Sequence, residues 1–149
     1  INLAHVKKKH ENIEQILYFA DHLTHKLQLL EHLLNNEKIN QAIVFTSTKF
    51  FADELTEQLK ERGYQAGVLH GDLNQRQRTN TLRILREGKL NILVATDVAA
   101  RGIDVPAISH VINFDLPNNV EDYVHRIGRT GRADAKGVAI SLALNKDLR

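Results

Sequence analysis

The residues with the clearest chemical potential lie in one stretch, residues 125–132, which reads HRIGRTGR. Arginines recur at every third residue of this stretch: Arg126, Arg129 and Arg132. A guanidinium is always charged, and its planar fork suits phosphate oxygens. A solvated basic helix face would also explain the arginines, but it does not explain Gly128 and Gly131, because each glycine costs about 1 kcal/mol in a helix interior. We therefore expect guanidinium groups held in a defined geometry, with the glycines freeing the backbone to re-aim the last arginine.

A second group of polar residues follows short apolar runs that are typical of buried strands. Residues 46–49 read TSTK, residues 70–72 read HGD and residues 96–104 read TDVAARGID. Small hydroxyl groups, glycines and free backbone N–H groups suit phosphate oxygens. The alternative is that these residues are only helix caps and turn residues. Because parallel sheets bind ligands at the carboxyl ends of their strands, three such loops on one edge favour a binding site.

The elements that must position these loops alternate between strand and helix, which predicts βαβ units and an α/β fold with a parallel sheet. The predicted strands are Ile13–Ala20, Ala42–Phe45, Gly67–Leu69, Asn91–Ala95, His110–Phe114 and Val138–Leu144. The predicted helices lie at 26–34, from Thr48 to Gly63, at 75–87 and at 120–127. Four phenylalanines fall at predicted core positions: Phe19, Phe45, Phe51 and Phe114. Residues 1–12, with the basic run at Lys7–His10, are expected to be a connector from a preceding region.

Composition excludes several other classes of protein. The 149 residues are 42% hydrophobic and 26% charged, which fits one globular domain. No cysteine is present, so disulfides, thiol catalysis and cysteine-based zinc sites are excluded. His22 and His25 have a spacing that metal ligands can use, but unpatterned carboxylates around them make metal binding the weaker interpretation. No apolar run is long enough for a membrane helix, no signal peptide is visible, and a net charge of +2 does not by itself indicate a nucleic-acid binder.

Taken together, these motifs resemble the DEAD-box RNA helicases. HRIGRTGR is similar to the last signature motif of that family, and ATDVAARGID at 95–104 is similar to the one before it. The run at 43–48, the HGD at 70–72 and the Gln75-x-x-Arg78 pair resemble the remaining motifs of the same half, in the same order. The resemblance covers residues 13–144. Residues 18–26 also resemble bacterial members that act in ribosome assembly.

The resemblance implies the second of two RecA-like domains, at residues 13–149, with a three-layer fold whose mainly parallel sheet is flanked by helices. The family's final helix would be truncated here. The chain has no G-x-x-x-x-G-K-[ST] loop and no Asp-Glu-Ala-Asp motif; Asp53-Glu54 falls within a predicted helix and is interpreted as surface charge. ATP and Mg²⁺ would therefore be held mainly by an absent N-terminal RecA-like domain.

Residue roles follow from the same resemblance. Arg129 and Arg132 would be catalytic, with Arg132 the arginine finger at the γ-phosphate. Asp104 would accept a hydrogen bond from the ATP ribose, with Gly102 beside it. His125 and Arg126 would couple domain closure to hydrolysis. The remaining motif residues would line the RNA sugar–phosphate backbone or organise the groups that do: Thr46, Gly71, Asp72, Gln75, Arg78, Thr96, Asp97 and Arg101. No metal ligand is assigned, and His70 is expected to shape its turn.

The implied parent is a cytoplasmic, RNA-stimulated ATPase without membrane association, and the fragment alone is expected to be an inactive monomer. One departure from the family lies at 133–137, where ADAKG lacks an aromatic residue for the adenine base. Two alternatives remain open. One is a non-catalytic RNA- or protein-binding module, which would not need the arginines. The other is a helicase of another family that acts on DNA, although His125 in place of Gln favours the DEAD-box interpretation.

Overall fold

Six parallel strands form the central sheet of the computed structural model, which describes residues 12–36, 39–101, 108–131 and 136–148. The strands are β1 (Ile13–Ala20), β2 (Ala42–Phe45), β3 (Ala66–Leu69), β4 (Ile92–Ala95), β5 (His110–Asn113) and β6 (Gly137–Leu144). Their order is β1-β6-β5-β2-β4-β3, and every neighbouring pair is parallel. All residues of β2, β4 and β5 are buried. Burial on both faces explains the continuous apolar runs of β2 and β4.

Helices cover both faces of the sheet. They are α1 (Leu23–Asn36), α2 (Lys49–Glu61), α3 (Gln75–Arg86), α4 (Asp97–Ala100) and α5 (Val120–Ile127), followed by a 3₁₀ turn at Asn145–Leu148. Leucines of α1 and α2 pack on one face, and apolar residues of α3, α4 and α5 pack on the other. The predicted α/β architecture is confirmed. Among the helices and turns of the described residues, α4 and the 3₁₀ turn were not predicted, because four residues carry too little periodicity.

Local sequence signals define the ends of the longer helices. Thr48 caps α2, since its hydroxyl accepts a hydrogen bond from the amide of Phe51 at 3.1 Å. Gly63 follows α2 with a φ of 91° and Gly88 follows α3 with a φ of 76°, a backbone region that favours glycine. Asn74 and Gln77 form a reciprocal capping box at the start of α3. These ends fix where each strand-end loop begins.

The prediction that Phe19 lies in the core is wrong. Phe19 is 41% exposed, because β1 lies at the edge of the sheet and nothing among the described residues covers that part of its face. Phe45 and Phe114 are buried as predicted, and the half-buried Phe51 packs against Phe114 with ring centroids 5.3 Å apart.

The predicted connector at 1–12 lies outside the described residues except for its last position. No helix in the described part of the chain is long and apolar enough to cross a membrane.

Candidate functional site

Arg126 lies at the centre of the carboxyl edge of the sheet and is only 2% exposed. Its Nε and Nη2 donate to the two carboxylate oxygens of Asp97, each at 2.7 Å. Its Nη1 donates to the backbone oxygen of Asp115 at 2.6 Å and to Oδ1 of Asn113 at 3.3 Å. The guanidinium carbon also lies 5.1 Å from the ring centroid of Phe45. Arg126 therefore ties α4, α5 and the loop after β5 into one unit.

Arg126 has a structural role inside this domain. Its predicted role in coupling domain closure to hydrolysis stays a prediction, and its guanidinium is buried among partners of its own domain. A buried guanidinium needs such partners, because leaving it unpaired is strongly unfavourable. Arg126 acts on neighbouring residues by holding α5, while His125, the residue before it, is exposed on the same helix.

The residues around Arg126 line a small cleft between α4 and α5. Arg101 donates to Oδ1 of the buried Asp122 at 2.7 Å, and a guanidinium nitrogen of the half-buried Arg129 donates to the backbone oxygen of Ala100. His125 completes this rim. The described parts of two predicted motifs, 95–101 and 125–131, thus meet at one cleft.

The local sequence explains how α5 delivers these side chains. Asn119 caps the helix by accepting the amide of Asp122 at 2.8 Å, and acidic residues in the first turn and basic residues in the last both suit the helix dipole. Gly131 has a φ of 65°, and a Cβ there would lie 2.6 Å from Ile13 Cγ1. Gly128, by contrast, has an ordinary helical φ of −65°. Only the second glycine therefore redirects the backbone as predicted.

Most of the predicted site residues in the loops after β2 and β4 are buried or half-buried. Thr46 is completely buried, and its hydroxyl donates to the backbone oxygen of Thr48 at 3.4 Å. Its side chain therefore organises the loop and does not line an exposed surface. Asp97 holds Arg126, so it too is an organising residue, and Thr96 is half-buried as the N-cap residue of α4. Arg101 is the member of this group that is exposed at the surface.

The loop after β3 forms a separate exposed region. Gly71, Asp72 and Gln75 are exposed, and Lys49 Nζ of α2 lies 2.9 Å from Asp72 Oδ2. Arg78 is half-buried, and its Nε has no hydrogen-bond partner among the described residues. This turn lies at the same sheet edge as the cleft, because β3 and β4 are parallel neighbours.

Three predicted site residues, Gly102, Asp104 and Arg132, lie outside the described residues, so their predicted roles stay predictions. The two histidines weighed as metal ligands have other partners: Nδ1 of His22 accepts the amide of His25 at 3.2 Å, and Nδ1 of His25 accepts the amide of Asp21 at 3.1 Å. Within the described ranges, no three His, Asp or Glu side chains are grouped to hold a metal ion.

Several structural residues of the site escaped the sequence analysis. Asp115 accepts the amide of Ser47 at 2.8 Å and lies 3.5 Å from Nζ of Lys26, which is itself 5% exposed. Asp115 follows β5, so its place at a strand end could have indicated it. Lys26 gave no such signal, because it lies within α1 and not at a strand end. The pKa of Tyr123 on α5 is raised by burial, and its hydroxyl donates to Oε1 of Gln15 on β1 at 2.6 Å.

Comparison with known proteins identifies the family. Residues 25–134 match the model described as the helicase conserved C-terminal domain. The chain belongs to this helicase C-terminal domain family. It is 52% identical over 131 residues to the ATP-dependent RNA helicase DBP2 of Candida albicans, covering 87% of this chain and 23% of that protein.

Solved structures support the same assignment. The E. coli DEAD-box protein SrmB, bound to regulator of ribonuclease activity A, gives a TM-score of 0.86 at 48% identity, covering 91% of this chain and 79% of that one. S. cerevisiae Dbp5 bound to RNA and ADP BeF3 gives a TM-score of 0.83 at 39% identity, covering 91% of this chain and 36% of that one. The predicted DEAD-box C-terminal, RecA-like domain is confirmed. A bacterial origin stays a prediction, because fungal and bacterial helicases both match. The helicase C-terminal domain spans about a quarter to a third of the curated relatives.

Proposed function

We propose that this helicase C-terminal domain is the second RecA-like domain of an ATP-dependent RNA helicase. It would supply Arg132 as the arginine finger, with Arg129 beside it, to ATP held by a preceding RecA-like domain. The observation that supports this most is the paired contact between Asp97 and Arg126, which brings the segments at 95–101 and 125–131 to one cleft. His125, Arg129 and Arg101 thereby share a rim from which guanidinium groups can face a neighbouring domain.

The residues present fit the phosphate end of ATP better than its metal. Arg129 offers a guanidinium donor at the cleft, and arginine recognises phosphate through charge-assisted hydrogen bonds. We propose that Mg²⁺ is held by the preceding domain, where it would neutralise phosphate charge. An arginine finger is worth about 10³–10⁵ in rate in related NTPases, and supplying it from a separate domain makes hydrolysis depend on closure. Asp104 and Gly102 are proposed for the ribose side.

RNA is proposed to bind at the same sheet edge, through contacts with its sugars and phosphates. Gly71, Asp72, Gln75 and Arg101 are exposed there. Phosphate and sugar contacts do not discriminate between bases, so sequence preference would be slight. The complete helicase is proposed to act in the cytoplasm, with ribosome assembly as its pathway, and this domain alone is proposed to be monomeric and inactive.

The decisive experiment measures RNA-stimulated ATPase in the complete helicase, with wild type beside Arg132→Ala. We expect hydrolysis to fall several hundred-fold or more while RNA binding is retained, by analogy with other arginine fingers. Arg62→Ala is the matched control, because Arg62 follows the far end of α2, away from the carboxyl edge of the sheet, where it pairs with Glu31. Unchanged hydrolysis in Arg132→Ala would contradict the proposal and favour a binding module.

A further inference from the structure

A buried histidine shapes the turn after β3. His70 is 4% exposed, and its two ring nitrogens have different partners. Nδ1 lies 3.2 Å from the backbone nitrogen of Asp72, and Nε2 lies 2.9 Å from Oδ1 of Asp53 on α2. A backbone N–H can only donate, so Nδ1 must be the bare acceptor nitrogen. The proton of the neutral ring therefore sits on Nε2 and is donated to the Asp53 carboxylate.

We propose that Asp53 is a positioning residue for RNA binding, which it supports by holding His70 in this tautomer and thereby fixing the Gly71–Asp72 turn. The inference rests on the proposed function, which assigns RNA contacts to that turn. Asp53 had been interpreted as surface charge, and its side chain is indeed more than half exposed. Its carboxylate nevertheless contacts Nε2 of the buried His70 ring, and Nδ1 of the same ring accepts a hydrogen bond from the turn.

The alternative tautomer would destabilise the turn. Without the Asp53 acceptor, the proton can move to Nδ1, where its N–H would face the N–H of Asp72, and two donors cannot share a hydrogen bond. Protonation of both nitrogens has the same effect. The charged groups around His70 are Asp53 on α2, Asp72 in the turn and Lys49, which reaches Asp72 at 2.9 Å. The Lys49–Asp72 pair is largely exposed and screened by salt, so it is the weaker of the two links between α2 and the turn.

The test compares Asp53→Ala with Glu54→Ala in the complete helicase. Glu54 is the next residue of α2, is exposed and carries the same charge, so it controls for charge loss and helix propensity. In Asp53→Ala we expect the RNA concentration for half-maximal ATPase to rise about tenfold, which corresponds to about 1.4 kcal/mol. The rate at saturating RNA should stay within about twofold, because the turn is separate from the arginine cleft. In Asp53→Asn the RNA concentration for half-maximal ATPase should lie between the values of wild type and Asp53→Ala, since the amide oxygen can still accept a hydrogen bond from Nε2 of His70.

The tautomer of His70 is a second readout. It would not change if Asp53 only stabilised the fold. Nitrogen-15 NMR of the His70 ring in the 149-residue chain should show the Nε2–H form in wild type and a mixture in Asp53→Ala. A wild-type ring protonated on Nδ1 would overturn the inference. So would equal half-saturation by RNA in Asp53→Ala and Glu54→Ala. A wild-type helicase without RNA stimulation would instead overturn the proposed function and, with it, the RNA role of Asp53.

Discussion

Asp97 and Arg126 meet as a two-point ion pair, with both carboxylate oxygens 2.7 Å from guanidinium nitrogens. They are 29 residues apart in the chain, one at the start of α4 and the other in the last turn of α5. The pair is largely shielded from solvent, since the Arg126 side chain is almost completely buried. Its geometry sets the spacing of the two helices that line the cleft, so the proposed phosphate contacts depend on it.

Breaking this pair should destabilise the domain more than any surface ion pair. In Arg126→Ala we expect a loss of about 3–5 kcal/mol in the free energy of unfolding, because Asp97 would remain with an uncompensated charge. Urea unfolding of wild type and Arg126→Ala measures this loss in the free energy of unfolding. Arg62→Ala should cost at most about 1 kcal/mol, because Arg62 and Glu31 form an exposed pair. Equal losses in the two variants would contradict the central role of Arg126.

Gly131 should be far less tolerant of substitution than Gly63, which also has a positive φ. Gly131→Ala combines a φ of 65° with a Cβ placed 2.6 Å from Ile13 Cγ1, so strain and steric overlap add. Gly63→Ala isolates the first effect, because its φ is 91° but nothing lies within 4 Å of its Cβ. We expect Gly63→Ala to lose about 1 kcal/mol and Gly131→Ala to lose clearly more. Thermal unfolding ranks them, and a Gly131→Ala loss no larger than that of Gly63→Ala would refute the overlap.

Tyr123 should make stability depend on alkaline pH. Burial raises its pKa above the usual value near 10, so the folded domain favours the neutral phenol. This contribution is fully present below pH 10 and is lost as pH rises through the folded-state pKa. Tyr123→Phe lacks both the ionisable group and the hydrogen bond to Gln15, which is worth about 1 kcal/mol.

Unfolding free energies between pH 8 and pH 12 test this expectation. The advantage of wild type over Tyr123→Phe should be about 1 kcal/mol at pH 8 and should shrink above pH 10. An advantage that stays constant across that range would show that the phenol ionises equally in both states.

Local features of this fold could be predicted from the sequence, and long-range pairings could not. The cap at Thr48 and the helix end at Gly63 depend on neighbouring residues, so both were predicted correctly. Asp53 and His70 are 17 residues apart and come together only once α2 packs on β3. Nothing in the residue type of Asp53 distinguishes it from Glu54 beside it.

The site was predicted as a set of residues but not as a geometry. The motif residues of 95–101 and 125–131 do meet at one cleft, because the Asp97–Arg126 pair joins α4 to the last turn of α5. Their division into buried and exposed members depended on packing: Thr46 and Arg126 are buried, whereas Arg101 and Gly71 are exposed. Sequence alone offered no reason to separate Arg126 from Arg129, since both are arginines of the same motif, three residues apart.

The exposed cations of the sheet edge predict how RNA binding by the isolated domain should respond to salt. Arg101 and Lys49 are more than half exposed, and Arg129 is half-buried beside the first of them. If about three phosphates are neutralised, the logarithm of the binding constant should fall with the logarithm of salt concentration at a slope near −2. Fluorescence anisotropy of a labelled single-stranded RNA, titrated from low to moderate salt, measures that slope.

Arg101→Ala should make the slope shallower by about 0.7, because one fewer counterion is released from a single strand. Arg62→Ala should leave the slope unchanged, because Arg62 lies away from the carboxyl edge of the sheet. A wild-type slope steeper than about −6 would require a larger basic surface than this edge provides. An unchanged slope in Arg101→Ala would place the phosphate contacts away from the cleft and toward the Gly71–Asp72 turn.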